Sequence, residues 1–199
     1  MPFDHNDHYH RLLLRRLPRH GLTALDVGCG TGRFARRVAA LGYQVDAVDP
    51  DAEVIAVAEG IGRGPRYRQA DVTSTRLPRR HYDAITCLAS LHHMPFATVT
   101  RFREALAPGG VLLVLGCYAG HTWWDLAAVP ANAVARAGVS LAERAGGAPG
   151  PRPLRPPARP PRMTLDDVRR ASARLLPGSE VRQLLFWRYL LTYRAPGSG

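Results

Sequence analysis

A glycine-rich stretch preceded by an acidic residue is the part of this 199-residue chain best suited to hold a ligand. Asp26, Gly28, Gly30 and Gly32 occupy every second position, after an apolar run and before a segment of helical spacing. Glycine reaches positive φ without steric cost, and it has no Cβ that would keep a ligand away from the backbone. The stretch predicts a strand, a tight turn and a helix, with a ligand lying against the turn.

The helix after this turn narrows the choice of ligand. The inner face of this helix is predicted to carry Phe34, Val38 and Leu41. The first N–H groups of the helix, near Thr31 and Gly32, have no partner within the helix and therefore favour a carboxylate or a phosphate as ligand. A dinucleotide-binding turn would carry its third glycine at position 33, where Arg33 stands. A nicotinamide-dependent dehydrogenase is therefore the weaker interpretation.

The elements that position the turn alternate between strand and helix along the chain. Strands are predicted at 23–27, 43–48, 67–70, 82–88 and 111–115, helices at 7–17, 52–59 and 98–107, a capped helix from Leu165, and two strands within 181–193. The continuous apolar run at 111–115 indicates a strand buried on both faces, which is typical of parallel sheets. Strand–helix–strand units with right-handed crossovers gather their ligands at the carboxyl ends of the strands.

Asp26-Val-Gly28-Cys-Gly30-Thr-Gly32 resembles motif I of the class I (Rossmann-like) S-adenosylmethionine (SAM) dependent methyltransferases, and Ala105-Leu-Ala-Pro-Gly-Gly-Val-Leu-Leu-Val114 is similar to a later segment of that family. The resemblance covers residues 22–116. It implies a methyltransferase with a doubly wound α/β fold, whose mainly parallel seven-stranded sheet has helices on both faces. It also implies SAM as cofactor, held by Asp26, Gly28, Cys29, Gly30, Gly32, Asp49, Pro50, Asp71, Val72 and Leu88.

Two acidic residues at predicted strand ends fit the two halves of an adenosyl group. Asp49, 17 residues after Gly32, can accept hydrogen bonds from both ribose hydroxyls. The alternative is that Asp49 caps the next helix, but Asp51 is available as that cap. In the family an acid at Asp71 faces the adenine amino group, and Asp71 with the Val72 N–H can supply the acceptor and donor that an adenine pocket needs. The alternative for Asp71 is an acid in an exposed turn.

A histidine pair follows the predicted strand 82–88. The resemblance places Leu88 beside the methionine part of the cofactor, and His92 or His93 toward the reacting centre. Imidazole titrates near neutral pH, so either histidine is a candidate general base and catalytic residue. The alternative is that the pair only shapes the loop through hydrogen bonds.

The 47 residues from Cys117 to Met163 are too many for an ordinary connection and are predicted to form a substrate lid. Residues assigned to the acceptor pocket are Tyr118, His121, Trp123 and Trp124. The alternative is that the tryptophans pack this insertion onto the core. One domain is expected over 1–199, comprising an N-terminal helix (1–20), a SAM-binding core (21–116), the insertion (117–163) and a C-terminal helix with the last strands (164–199).

Composition favours a globular protein, and a cytoplasmic location is expected. The net charge of +11 comes from 27 arginines scattered along the chain without any lysine, which is typical of a solvated surface. Nucleic acid is therefore not the expected partner. A small-molecule methyl acceptor is the leading hypothesis, because Ala89-Ser90-Leu91 follows strand 82–88 in place of an Asn-Pro-Pro-Tyr type motif. The rivals are an RNA methyltransferase that uses the arginine-rich surface and a non-catalytic SAM-binding protein. Cys29, Cys87 and Cys117 each end a predicted strand and are expected to be reduced, without a metal.

No apolar run is long enough to span a membrane, and 1–8 lack the apolar core of a signal peptide. A membrane is therefore not an expected partner, and the oligomeric state stays open.

Overall fold

The computed structural model of the protein describes residues 5–62, 64–120 and 160–197. The strands in these ranges are β1 (Thr23–Val27), β2 (Gln44–Asp49), β3 (Arg66–Gln69), β4 (Tyr82–Leu88), β5 (Leu106–Cys117), β6 (Glu180–Leu184) and β7 (Arg188–Arg194). The α-helices are α1 (His5–Leu14), α2 (Arg33–Ala39), α3 (Ala52–Ile61), α4 (Val99–Ala105) and α5 (Leu165–Leu175). Two 3-10 turns, Leu91–His93 and Phe96–Thr98, connect β4 to α4.

The strands form one sheet in the order β3-β2-β1-β4-β5-β7-β6. β1 pairs in parallel with both β2 and β4, and the pairs β2–β3 and β4–β5 are also parallel. β7 runs antiparallel to β5 and to β6. The strand order changes direction between β1 and β4, so their carboxyl ends flank the position where open α/β sheets bind ligands. The predicted seven-stranded, mainly parallel, doubly wound sheet is confirmed.

The pleat of the central strands divides the apolar side chains between two cores. Leu112 and Val114 of β5 pack with α4 and α5 on one face of the sheet. Leu113 and Leu115 pack with α1, α2 and α3 on the other. Successive side chains of a strand point to opposite faces, so an uninterrupted apolar strand needs a helical layer on each side. The prediction of helices on both faces is confirmed.

The boundary between α4 and β5 differs from the prediction. The helix ends at Ala105 and β5 begins at Leu106, whereas the sequence suggested a helix to Ala107 and a strand from Val111. Pro108 disfavours helical backbone at the residue before it, which leaves Ala107 extended. The register between β4 and β5 shifts beyond the pair Tyr82–Leu106, and the proline and two glycines lie in that irregular part of β5.

Helix ends on the α1–α3 face also differ from the predictions. α1 covers His5–Leu14 rather than 7–17, and α2 ends at Ala39. Leu41 therefore lies beyond α2 and is 57% exposed, so its assignment to the inner face was wrong, whereas Phe34 and Val38 are buried as predicted. After α2 the backbone tightens, because Leu41 N and Gly42 N donate to the carbonyls three residues earlier, and this change turns the Leu41 side chain toward solvent.

The C-terminal part forms as the sequence predicted. Thr164 and Asp167 make a reciprocal capping box at the start of α5. β6 and β7 then form a hairpin, and Phe186 and Trp187 at its tip adopt positive φ. Because β7 is antiparallel to β5, this tip lies at the carboxyl end of β5, on the same edge as the glycine turn. No helix within the described ranges is long and apolar enough to cross a membrane.

Candidate cofactor and acceptor site

The three glycines after β1 all have positive φ, but they serve different purposes. A Cβ on Gly28 would lie 2.4 Å from the Ser90 side chain, and a Cβ on Gly32 would overlap the Tyr67 ring. A Cβ on Gly30 would meet no atom within 4 Å. Only glycine fits at positions 28 and 32, because neighbouring side chains leave no room for a Cβ, whereas Gly30 borders open space. The open face of Gly30 is the surface on which a ligand can approach the backbone.

Hydrogen bonds hold the turn against the end of β2. The N–H groups of Gly28 and Cys29 both donate to the Val48 carbonyl, at 2.8 and 3.1 Å. The Gly30 N–H donates to Oδ2 of Asp49 at 3.0 Å. On the other side of the turn, Arg36 Nη1 donates to the Thr31 carbonyl at 2.9 Å. The open face of Gly30 therefore has a fixed position next to the Asp49 carboxylate.

Asp49 lies where a ribose ligand would be expected and keeps hydrogen-bonding capacity. Its Oδ1 accepts from the Asp51 N–H at 3.1 Å, and its Oδ2 accepts from Gly30. A carboxylate oxygen can accept about two hydrogen bonds, so each oxygen retains one acceptor position. Helix α3 is capped by Asp51, which accepts from Glu53 N and Val54 N, so Asp49 is not the cap.

Asp26 is buried beneath the turn and is not exposed to a ligand. Its side chain is 2% exposed, and Oδ1 accepts from the Thr86 hydroxyl at 2.7 Å. Burial raises the pKa of the Asp26 carboxyl to about 7, against the opposite effect of the Thr86 hydrogen bond, and the nearby Asp49 carboxylate raises it further. The Asp26 carboxyl therefore contacts protein groups rather than solvent, and its role toward the cofactor stays a prediction.

The remaining residues that the sequence assigned to the cofactor lie on the same edge of the sheet. Pro50 follows β2 and is exposed, and Leu88 ends β4. Asp71 is exposed, and its Oδ1 accepts from the N–H and the hydroxyl of Thr73 at 2.8 and 2.7 Å. These hydrogen bonds lower the pKa of Asp71. Asp71 is thus an ionised acid in an exposed turn, and its role toward adenine stays a prediction. Val72 beside it is buried.

The loop after β4 carries the histidine pair. Their ring centroids are 4.0 Å apart, His93 is exposed, and the Nδ1 of His92 is buried without a hydrogen-bond partner among the described residues. Desolvation lowers the pKa of His92 to about 4, and the charges of His93 and Arg188 act in the same direction. His92 is therefore neutral at neutral pH and is a weak base. General-base catalysis by either histidine stays a prediction.

The start of the long insertion is tied to the β6–β7 hairpin. The Tyr118 side chain is 4% exposed, and its hydroxyl accepts from Gln183 Nε2 at 2.8 Å. Cys117 at the end of β5 pairs with Arg188 at the start of β7, and Arg188 Nη1 donates to the Cys117 sulfur at 2.7 Å. His121, Trp123 and Trp124 lie outside the described residues. The acceptor-pocket roles of these residues and of Tyr118 stay predictions.

The three cysteines lie on adjacent parts of the sheet because β1, β4 and β5 are neighbours. Burial raises the pKa of each thiol, to about 12 for Cys87. All three are therefore protonated at neutral pH, and a nucleophilic role is disfavoured. Cys29, assigned to the cofactor by resemblance, is buried next to the glycine turn, where its backbone N–H contributes to the anchoring at Val48.

Sequence reasoning missed four residues that shape this edge. Ser90 packs on Gly28, Tyr67 packs on Gly32, Thr86 donates to Asp26, and Arg188 lies beside Cys117. Each comes from a strand or loop distant in sequence from its partner. Their types are ordinary for strands and loops, so no local signal marked them.

Comparisons with known proteins identify the family of the chain. The methyltransferase domain family matches residues 25–114. An uncharacterized methyltransferase of Mycobacterium tuberculosis, Rv0089, is 33% identical over 202 residues, covering 98% of either chain. A ubiquinone biosynthesis O-methyltransferase of Xanthomonas oryzae pv. oryzae is 34% identical over 128 residues, which cover 61% of this chain and 54% of that one.

Among solved structures, magnesium protoporphyrin IX methyltransferase from Synechocystis with bound S-adenosylhomocysteine (SAH) superposes with a TM-score of 0.60. It is 17% identical, and the match covers 95% of this chain and 80% of that one. The mainly parallel sheet, the glycine turn after β1 and the acidic residue at the end of β2 are features of the Rossmann-like α/β class of enzymes. The chain belongs to the class I SAM-dependent methyltransferases, which confirms the family and the enzyme class that the sequence predicted.

Proposed function

We propose that this chain binds SAM at the turn after β1 and transfers its methyl group to a small-molecule acceptor. The observation that carries the proposal is the open face of Gly30 beside Asp49. A Cβ would meet nothing there, and both carboxylate oxygens of Asp49 keep an acceptor position. The residues present thus fit the adenosyl part of the cofactor.

In this proposal each residue of the edge has a binding task. Asp49 accepts hydrogen bonds from the two ribose hydroxyls. Oδ2 of Asp71 accepts from the adenine amino group, since Thr73 occupies Oδ1 alone. Gly28, Gly30 and Gly32 keep the turn low against the ligand, and Leu88 with the loop after β4 borders the methionine part.

When bound, SAM supplies an electrophilic methyl group, which passes to the acceptor as the sulfonium becomes a neutral thioether. The protein's contribution is alignment, and positioning two reactants can supply roughly 7–11 kcal/mol of the barrier. The low pKa of His92 suits a hydrogen-bond acceptor that orients the second substrate rather than a strong base. An acceptor that is already deprotonated would require no base.

The small-molecule acceptor is supported by the relatives and by the site. One relative is, by its name, an O-methyltransferase of ubiquinone biosynthesis. Ala89, Ser90 and Leu91 follow β4, in place of the Asn-Pro-Pro-Tyr type motif of enzymes that methylate base or amide nitrogens.

The test is calorimetric titration of the purified protein with SAM, SAH and NADH. We expect micromolar binding of SAM and SAH and none of NADH. Asp49→Ala should weaken SAM binding by roughly 1.5–3 kcal/mol, since it removes charge-assisted hydrogen bonds. Asp51→Ala is the matched control: it removes a carboxylate two residues away and costs about 1 kcal/mol of helix capping, but it should leave SAM affinity unchanged.

Failure of the wild-type protein to bind SAM or SAH would overturn the proposal. Equal losses of SAM affinity in Asp49→Ala and Asp51→Ala would overturn the ribose assignment.

A further inference from the structure

Arg188 at the candidate site forms no ion pair with an acidic side chain among the described residues. Its Nη1 donates to the Cys117 sulfur, and its Nε is buried without any hydrogen-bond partner in the described part of the chain. The ion pairs among the described residues involve other arginines. A neutral thiol is a weak acceptor, and burial raises the pKa of Cys117 despite the opposing effect of Arg188. The guanidinium is therefore only partly satisfied.

Its neighbours also lack negative charge. Arg188 acts electrostatically on His92, Cys117 and Tyr9, all uncharged at neutral pH. Tyr189, the next residue, lies close to Cys117, and burial raises its pKa. A partly buried cation is normally paired with an anion, because burial of an unpaired charge is costly. Within residues 5–62, 64–120 and 160–197, no anion thus pairs with Arg188.

The place of Arg188 in the fold points to the second substrate. It starts β7 opposite Cys117, at the carboxyl end of β5. The loop after β4 lies beside that end, since Ala89 N donates to the Leu115 carbonyl at 2.7 Å. The same loop carries His92, which Arg188 influences. Asp49, proposed for the ribose, lies at the end of β2, and β1 and β4 separate β2 from β5.

We propose that Arg188 binds an anionic oxygen group of the methyl acceptor, so that the acceptor is a carboxylate or a phenolate. This inference rests on the proposed function, which supplies the cofactor on one side and the acceptor on the other. A guanidinium suits this task because its planar N–H groups match the two oxygens of a carboxylate. The buried Nε, which has no hydrogen-bond partner among the described residues, is one of these donors. His92 on the neighbouring loop is neutral, so it adds no negative charge that would repel the anion.

The experiment uses the full-length protein saturated with SAH and two pairs of probes that differ in charge. 4-Hydroxybenzoate is compared with 4-hydroxybenzamide, and octanoate with octanamide, by calorimetric titration at pH about 7.5. A third arm compares 4-nitrophenolate with 4-nitroanisole at pH about 8.5, which separates phenolate from carboxylate recognition. We expect at least one anion to bind roughly tenfold or more tightly than its neutral counterpart, as a charge-assisted hydrogen bond would give.

Three variants localise the effect. Arg188→Gln should abolish the preference for the anion, and Arg188→Lys should keep a weaker preference because it retains the charge. Arg194→Gln is the matched control, since Arg194 is an exposed arginine at the other end of the same strand. It should keep the full preference. SAH affinity should be the same in all four proteins, which also shows that the variants are folded.

Equal binding of anionic and neutral probes in all three pairs would overturn the proposal, as would an unchanged preference in Arg188→Gln. These outcomes differ from failure of the proposed function, which would appear as absent SAH binding in the wild-type protein. Repeating the titrations without SAH would then still report whether Arg188 selects anions.

Discussion

Replacing Gly30 by alanine separates the ligand-binding role of the turn from its structural role. Gly30 has φ of 53°, a backbone conformation that costs an L-residue about 1–2 kcal/mol. Its added Cβ would meet no protein atom within 4 Å, so no packing cost is added. The proposed cofactor lies against that face, and an extra methyl group in a close-packed contact costs about 1–3 kcal/mol. SAH affinity should therefore fall roughly 5- to 150-fold.

Gly42→Ala and Gly28→Ala are the comparisons for this variant. Gly42 has φ of 95° and also borders open space, but it follows the far end of α2. Its alanine variant should lose stability and keep SAH affinity. Gly28→Ala should lose more stability than Gly30→Ala, by about 1–3 kcal/mol, because its Cβ would overlap Ser90.

The assay combines urea unfolding, which gives the free energy of unfolding, with calorimetric titration of SAH at a temperature where every variant is folded. An unchanged SAH affinity in folded Gly30→Ala would refute the placement of the cofactor against the turn. A loss of the same size in Gly42→Ala would show that the effect comes from general destabilisation.

Three further predictions concern stability and are tested by urea unfolding. Asp26 has a pKa of about 7 in the folded protein against 3.8 for a free carboxyl. As pH rises between these two values, the free energy of unfolding of the wild type should fall by about 1.4 kcal/mol per pH unit, because only the folded state keeps the proton. Asp26→Asn should remove this dependence, and parallel pH profiles of the two proteins would contradict the prediction. Thr164→Ala should cost about 1 kcal/mol, since it breaks the capping box with Asp167, and a cost near zero would argue against the cap. Gly116→Ala should cost about 1–3 kcal/mol because its Cβ would overlap the Tyr189 ring, and full stability would show that the ring can move.

The sequence was sufficient for the elements whose signals are local. An apolar run followed by glycines gave β1 and its turn, and the uninterrupted apolar stretch in β5 indicated burial on both faces. The threonine and the aspartate three residues apart identified the cap of α5. The position of Asp49 near the end of a strand was also predictable, since it is read along the chain, whereas its role toward the ribose stays a prediction. Each of these features depends on spacing within one short segment, which periodicity and residue type express directly.

Tertiary structure decided the features that join distant segments. Whether Gly28 or Gly30 has open space beside it depends on Ser90, about sixty residues after Gly28, and no local pattern distinguishes the two glycines. Leu41 fitted a helical face until the helix ended before it. Arg188 looks like any of the scattered arginines in the sequence, and it reaches Cys117 because β7 pairs antiparallel with β5. Strand pairing and packing bring such residues together, so their roles follow from contacts across the sheet, which sequence spacing does not record.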